Sequence, residues 1–457
     1  MYMNTLLTST ILFTGMAIAP HANASVVAIC DSGSDLEHVE LAGRGWVNAA
    51  EIAGNRIDDD HNGKVDDVNG WNFAEDYNQI FFRDHLKEIN PLTFQIFDVL
   101  ARKESKTTTP ADDAFWKKNI LDLPAEQKTA LLAHLNYFGQ YAHGTHVAGI
   151  VARQAPDAKL LIARIFPDDL APQYPLPPGP KMYSIVDSIY KLLALASNGV
   201  FEQVARYLNE NKVEVANYSV GISMKMLAEN ALKIKGNKAP TADQIALEAQ
   251  RIYKPFGEAG RAWMASSPGT LFVVAAGNDG TDNNVLPTFP ANVRIENEIT
   301  VAASQGNASL ADFSNYGRST VDVAAPGVAI MSTVPSLDKK GHLPLSGTSM
   351  AAPYVTGVAG HIKDVNPSLK PAIVREILMQ TVDVKPWLAG KVISGGVVNR
   401  ERAYAAAVNM KTMDLNAAVA AAKVSVADLP MTSNFLPAAK TFSMDKDMNE
   451  FAKTLIF

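Results

Sequence analysis

Val26-Val27-Ala28-Ile29-Cys30-Asp31-Ser32-Gly33 lies near the start of this 457-residue chain. Its first five residues are apolar and rich in β-branched side chains, and the run stops at a carboxylate and a glycine. A short, unbroken apolar run of this kind reads as a strand buried on both faces, as in a parallel sheet. Asp31 then stands at the C-terminal end of that strand. In open α/β sheets this is the edge where ligands and chemistry gather.

Working outward, strands are expected at Lys159–Ile165, Val213–Ser219, Thr270–Ala276, Ile299–Ala303 and Thr320–Ala324. Helical patterns fall between and after them, at Ala125–Tyr137, from His143 to Val151, at Tyr183–Ala196, Val200–Asn209, Leu369–Thr381 and Arg400–Ala407. Alternation of strands and helices predicts an α/β fold, a three-layer sandwich around a mainly parallel central sheet. Pro167 to Pro180 holds six prolines and reads as an irregular loop. Residues 74–140 mix aromatic and charged side chains and read as a largely helical insertion, with a second one at 222–262. From 410 to 457 the pattern fades. Ala417 to Ala422 could extend a helix, and the rest reads as a tail or small appendage.

The formal net charge is −6, with 41 basic and 47 acidic residues, which argues against a nucleic-acid binder. The lone cysteine, Cys30, excludes an internal disulfide and reads as a small buried hydrophobe rather than a reactive thiol. Residues 1–24 read as an export signal. An apolar stretch runs from Leu6 to Ala19, and Ala22-Asn23-Ala24 looks like a cleavage site, although Met1 to Thr5 carries no Lys or Arg. The expectation is a secreted or periplasmic protein. No later stretch offers about 20 consecutive apolar residues, so no membrane-spanning helix is expected.

Two further stretches carry chemistry. In Gly347-Thr348-Ser349-Met350-Ala351-Ala352-Pro353 a serine precedes an apolar helical pattern that runs to about Asp364. Ser349 is therefore a helix N-cap or a nucleophile placed where unpaired amides favour negative charge. Asp58-Asp59-Asp60-His61-Asn62-Gly63-Lys64-Val65-Asp66 matches the first half of a calcium loop, with Asp58, Asp60, Asn62 and Asp66 as candidate ligands. Asn69 falls where a full EF-hand needs glutamate, so the alternative is an acidic, solvated turn.

A serine hydroxyl is a poor nucleophile until a base takes its proton and a carboxylate holds that base in the right tautomer. Asp31, His143 and Ser349 supply those three groups in chain order. Asn278, in a glycine-rich turn after a strand, is a candidate donor to an oxyanion, as is the backbone N–H of Ser349. His143 and His146 as zinc ligands lack the H-E-x-x-H spacing and an obvious third partner.

Asp31-Ser32-Gly33 after an apolar strand, His143-Gly144-Thr145-His146-Val147-Ala148-Gly149, and Gly347-Thr348-Ser349-Met350-Ala351-Ala352-Pro353 together resemble the three active-site motifs of the subtilisin-like serine proteases, in that family's order. Asn217-Tyr218-Ser219-Val220-Gly221, Ala275-Ala276-Gly277-Asn278-Asp279-Gly280, Phe289-Pro290-Ala291, Phe313-Ser314-Asn315-Tyr316-Gly317 and Ala325-Pro326-Gly327 resemble it as well. The likeness covers residues 26–73 and 141–408.

The resemblance implies a subtilisin-like peptidase domain over residues 25–409. It implies Asp31 as the group that orients the imidazole, His143 as general base and then acid, Ser349 as nucleophile and Asn278 as oxyanion donor. It further implies that Ser219, Val220 and Gly221 pair with an extended substrate backbone, and that Ala275, Ala276 and Gly277 form one wall of the primary specificity pocket. His146 falls on the family's second histidine, which is not the base. The expected activity is endopeptidase action on polypeptides by a monomer, with no cofactor in the chemistry and a structural calcium as an option. The alternative is an inactive binding or scaffold protein on the same fold. No inhibitory propeptide is recognisable before the first strand, and the spans Asp31–His143 and Gly221–Gly277 are longer than in compact members.

Overall fold

The structure, a computed structural model, describes residues 24–167 and 198–429. The expected export signal, most of the proline-rich loop, the helical pattern at Tyr183–Ala196 and the end of the tail lie outside the described residues.

The opening stretch forms β1 (Val26–Asp31), and its side chains alternate between two cores. Val27 and Ile29 enter one cluster while Ala28 and Cys30 enter the other, as the two-residue period of a strand requires. A strand buried on both faces must be apolar throughout, which is why it reads as a continuous run. Cys30 is fully buried, and burial pushes its thiol pKa well up, in keeping with a hydrophobic role.

Among the described residues the main sheet has ten strands. Across it run β13 (Asp383–Val384), β14 (Gly396–Val397), β10 (Val323–Pro326), β8 (Glu298–Gln305), β6 (Leu271–Ala275), β4 (Val215–Tyr218), β1, β3 (Lys159–Arg164) and β2 (Gly70–Asn72). The short β9 (Ser309–Leu310) hangs on β8. The long inner strands are parallel, and only β9 and β13 run antiparallel to their neighbours. Two small antiparallel pairs lie apart, β5 (Ile222–Ser223) with β7 (Thr288–Phe289) and β11 (Ile330–Thr333) with β12 (His342–Leu345). After β1 the chain builds β2 and β3 on one side and then returns to lay β4 on the other. The β1/β4 boundary is thus a topological switch point, where the loops at the strand ends diverge and leave a crevice.

Helices cover both faces. On the Val27 side lie α1 (Leu92–Glu104), α2 (Pro110–Trp116), α3 (Ala125–Gln154), α7 (Thr348–Val365), α8 (Pro371–Gln380), α9 (Arg400–Asn409) and α10 (Leu415–Ser425). On the Ala28 side lie α4 (198–210), α5 (Met224–Ile234) and α6 (Ala242–Ala265). The three-layer expectation holds.

Several local expectations change. The patterns at Ala125–Tyr137 and from His143 are one 30-residue helix, so His143 lies well inside α3 and does not open it. Gly139 lies inside this helix, where glycine costs about 1 kcal/mol. Packing overrides that cost. Phe138 is buried, with its ring 5.2 Å from Phe94 and 5.7 Å from Phe97 of α1. The helical segment at 74–140 thereby leads directly into the histidine. The segment at 222–262 is likewise part of a layer, since Phe256, Trp263 and Met264 of α6 are buried in the second core.

Residues after 410 also belong to the body as far as they are described. Val419 and Ala422 of α10 join the first core, and the Arg402 guanidinium binds Asp383 at 3.0 Å and Asp428 at 2.6 Å.

Candidate active site

The end of β1, the interior of α3 and the first turn of α7 carry Asp31, His143 and Ser349. Asp31 ends β1 and is fully buried. Its Oδ1 accepts hydrogen bonds from the Ser32 backbone N–H and from His143 Nδ1, both at 2.7 Å. With Asp31 as a carboxylate, the imidazole carries its proton on Nδ1, and Nε2 becomes the basic nitrogen.

The α3 helix is fixed against the loop after Asp31. Ser34 Oγ donates to the Gly144 carbonyl at 2.8 Å, Gly144 N–H donates to Ser32 Oγ at 3.2 Å, and Asp35 N–H donates to Thr145 Oγ1 at 2.9 Å. This close approach explains the two glycines. A Cβ on Gly144 would lie 2.2 Å from the Gly33 carbonyl oxygen, and Gly33 itself has φ +94° with its own Cβ direction blocked by the Ile80 carbonyl.

The serine stretch opens α7. The N-cap is Gly347, with no side-chain cap, and Ser349 lies in the first helical turn. Ser349 is therefore not the capping residue, which corrects that alternative. Its Oγ–H donates to the Ser219 carbonyl at 3.1 Å, and Ser219 Oγ–H donates back to the Ser349 carbonyl at 2.8 Å. Behind them Asn217 Nδ2 donates to Ser219 Oγ at 2.9 Å, and Thr356 Oγ1 donates to Asn217 Oδ1 at 2.9 Å. The substrate-strand candidate and the serine are thus braced on one buried polar chain.

Asn278 is next door. Its Oδ1 accepts from the Thr348 N–H and the Thr348 hydroxyl, each at 2.9 Å. That arrangement fixes which end of the amide carries the N–H donors. Gly277 N–H donates to Thr348 Oγ1 at 3.1 Å, tying the Ala275–Gly277 segment to the same turn. Gly277 has φ +106°, and a Cβ there would strike Asn315 Nδ2 at 2.5 Å. Ala275 and Ala276 are buried at the end of β6, one strand beyond β4.

A cavity of about 300 Å³ lies on the other side of Ser219–Val220–Gly221. Asp31 and His143 line it together with Tyr141 of α3, Arg164 of β3 and Phe166. Neither Arg164 nor Tyr141 stood out in the sequence. Arg164 carried a signal, as a cation ending the apolar run Leu160–Ala163. Asn217 carried a similar one, as a fully buried amide within β4.

His146 sits one turn from His143 and is fully buried. Its Nε2–H faces the carbonyls of Ile330 and Leu343, each at 3.0 Å. Burial pushes its pKa down to about 3, so the ring is neutral and joins α3 to β11 and β12.

The acidic loop is arranged differently from a half EF-hand. Asp58 and Asp60 group with Glu51, each offering an oxygen within 4.8 Å of the others. Asp66 is directed elsewhere, accepting from the Gly54 and Arg56 N–H groups at 2.7 and 3.0 Å. Asn62 Nδ2 donates to Asp60 Oδ2 and Asp67 Oδ2, and its Oδ1 accepts from Lys64 N–H. Glu51 comes from outside the motif and was missed.

The model of the subtilase family matches residues 126–412. This chain belongs to the subtilase family. Asp31 lies outside the matched span and joins the site through its bond to His143. Among similar proteins, an extracellular protease of Xanthomonas campestris pv. campestris is 32% identical over 273 residues, covering 58% of this chain and 40% of that protein. Alkaline elastase YaB of a Bacillus strain is 42% identical over 117 residues, 26% of this chain and 29% of that protein. The chain thus spans less than half the length of either relative. Subtilisin BL of Lederbergia lenta is 28% identical over 264 residues, with 57% of this chain and 77% of that protein covered. Among solved structures, a lanthipeptide protease aligns over 83% of this chain and 86% of its own, at 17% identity and a TM-score of 0.46. No helix among the described residues is long and apolar enough to cross a membrane.

Proposed function

We propose that this subtilase is a serine endopeptidase that cleaves polypeptides through an acyl-enzyme. The observation that carries the reading is the 2.7 Å bond from His143 Nδ1 to buried Asp31, a pair that lines one cavity with Ser219, the hydrogen-bond partner of Ser349. His143 Nε2 takes the Ser349 hydroxyl proton as Oγ attacks the scissile carbonyl carbon. The resulting oxyanion meets the Asn278 amide and the Ser349 backbone N–H, which lies in the first turn of α7, where N–H groups lack intrahelical partners. His143 then passes the proton to the leaving amine as the C–N bond breaks. Water, deprotonated by the same nitrogen, attacks the acyl ester and returns Ser349.

The substrate backbone lies extended along Ser219–Val220–Gly221, with one side chain against Ala275, Ala276 and Gly277. The same reading places the enzyme outside the cytoplasm, in line with the relative named an extracellular protease. Glu51, Asp58 and Asp60 would hold a structural calcium, a hard cation suited to carboxylate oxygens, remote from the chemistry. Its measure is a rise in melting temperature on adding calcium that Asp58→Asn removes. The activity is tested by hydrolysis of a denatured protein by wild type and by Ser349→Ala. Abolition in the variant supports it, and retained hydrolysis overturns it.

A further inference from the structure

The cavity beside His143 is walled by a part of the chain that the proposed chemistry does not use. The N-terminal extension of α3 places Tyr137 and Tyr141 four residues apart on one helix face, just before the histidine. Their rings lie parallel, 6.2 Å apart and tilted by 11°. Both are held from behind. Tyr141 O–H donates to the Phe82 carbonyl at 2.9 Å, its ring packs 4.8 Å from Phe81, and Tyr137 Oη is 2.7 Å from His85 Nδ1. Phe166 and Val220 complete an apolar lining. Arg164, 2% exposed, gives one N–H to the Ser32 carbonyl at 2.9 Å and stacks its guanidinium 4.7 Å over Phe82. It is thus held within the wall, stacked on an aromatic ring.

The cavity and the Ala275–Gly277 segment, on different sides of Ser219–Gly221, assign the substrate residue that faces this wall. A peptide along Ser219–Gly221 continues from β4, which lies between β6 and β1. Successive side chains of an extended chain point to opposite sides. If the residue bearing the scissile carbonyl turns toward Ala275–Gly277 at the end of β6, the residue before it turns toward β1 and β3. There it meets Asp31, His143, Arg164 and Tyr141.

We infer that Tyr137 and Tyr141 form a specificity wall that selects an aromatic substrate side chain at the position immediately before the cleaved residue. The inference rests on the serine-endopeptidase reading. A flat, pre-ordered pair of rings offers edge and face contacts to another ring, and it binds without reordering.

The test uses fluorogenic peptides that share one residue at the cleavage position and carry Phe, Ala or Glu just before it. Wild type is expected to favour Phe over Ala by about tenfold or more in kcat/KM, the scale of discrimination that apolar side-chain contacts provide. In Tyr141→Ala the ratio should fall toward one, through KM more than kcat, while Tyr141→Phe keeps it. Tyr137→Leu, a milder change, should lower the ratio partway. Equal rates for Phe and Ala in an active enzyme, a preference for Glu, or an unchanged ratio in a folded Tyr141→Ala would overturn the wall and leave the protease reading intact. No hydrolysis of any peptide, with no labelling of Ser349 by a serine-directed phosphonate, would overturn both.

Discussion

Ser349 and Ser219 bind each other reciprocally: the Ser349 hydroxyl donates to the Ser219 carbonyl at 3.1 Å, and the Ser219 hydroxyl donates to the Ser349 carbonyl at 2.8 Å. The residue proposed as nucleophile and the residue proposed to start the substrate strand are therefore placed by one another. Asn217, fully buried, passes that placement back to Thr356 on α7. Asn217 is a positioning residue in this arrangement. Asn217→Leu is expected to lower kcat about 10- to 100-fold, because small misplacements of reacting groups are costly, while KM moves little. Steady-state kinetics normalised to phosphonate-titrated sites checks this. A loss confined to the number of titratable sites would mean that Asn217 acts only on folding.

The Asp31–His143 bond predicts a second effect. Asp31→Asn keeps the shape but replaces the carboxylate with a neutral amide, so the imidazole loses its charge partner, and an N–H2 turned toward Nδ1 favours the wrong tautomer. A fall in kcat of about 10⁴ is expected, the scale seen when the orienting carboxylate of a serine triad is neutralised. Single-turnover acylation rates report it directly. A loss under about tenfold would remove Asp31 from the mechanism.

Asn278 is anchored through its oxygen to Thr348, which precedes the serine. If its amide N–H groups serve the oxyanion, Asn278→Ala should cost about 10²–10³ in kcat, with KM nearly unchanged. A rise in KM at constant kcat would mean that it contributes only to ground-state binding.

His146 carries a pH prediction. Burial holds it neutral in the fold, with a pKa of about 3, whereas the unfolded chain binds the proton near 6.5. Between those values the unfolded state holds more protons than the native state, so this group's contribution to stability is present above about pH 6.5 and declines as pH falls toward about 3. The slope from one such group is up to about 1.4 kcal/mol per pH unit. Urea midpoints measured across that window should fall steeply in wild type and less steeply in His146→Gln. Equal slopes would contradict the assignment.

How much of this was legible in the sequence depends on the range over which each feature is encoded. The strand ending at Asp31 could be read because burial on both faces demands an unbroken apolar run. Ser349, His143 and Asn278 could be read because each sits in a local motif. The continuity of α3 through Gly139 could not, since it depends on Phe138 packing against Phe94 and Phe97 of another helix. Glu51 was missed because it reaches the acidic loop from outside the motif, where its carboxylate accepts the Asp59 and Asp60 N–H groups. The chain from Thr356 to Asn217 to Ser219 spans distant segments, and only the burial of a polar residue in an apolar strand hinted at it. Tyr141 carries no local signal, and only the course of α3 brings it and Tyr137 into the lining beside His143.

The most direct test of the central claim is covalent labelling by a fluorophosphonate, followed by mapping of the modified peptide. The predicted result is stoichiometric modification of Ser349, lost in His143→Ala as well as in Ser349→Ala, because the hydroxyl needs the imidazole to react. Folded wild-type protein that takes up no label, or that is labelled equally well without His143, would contradict the account.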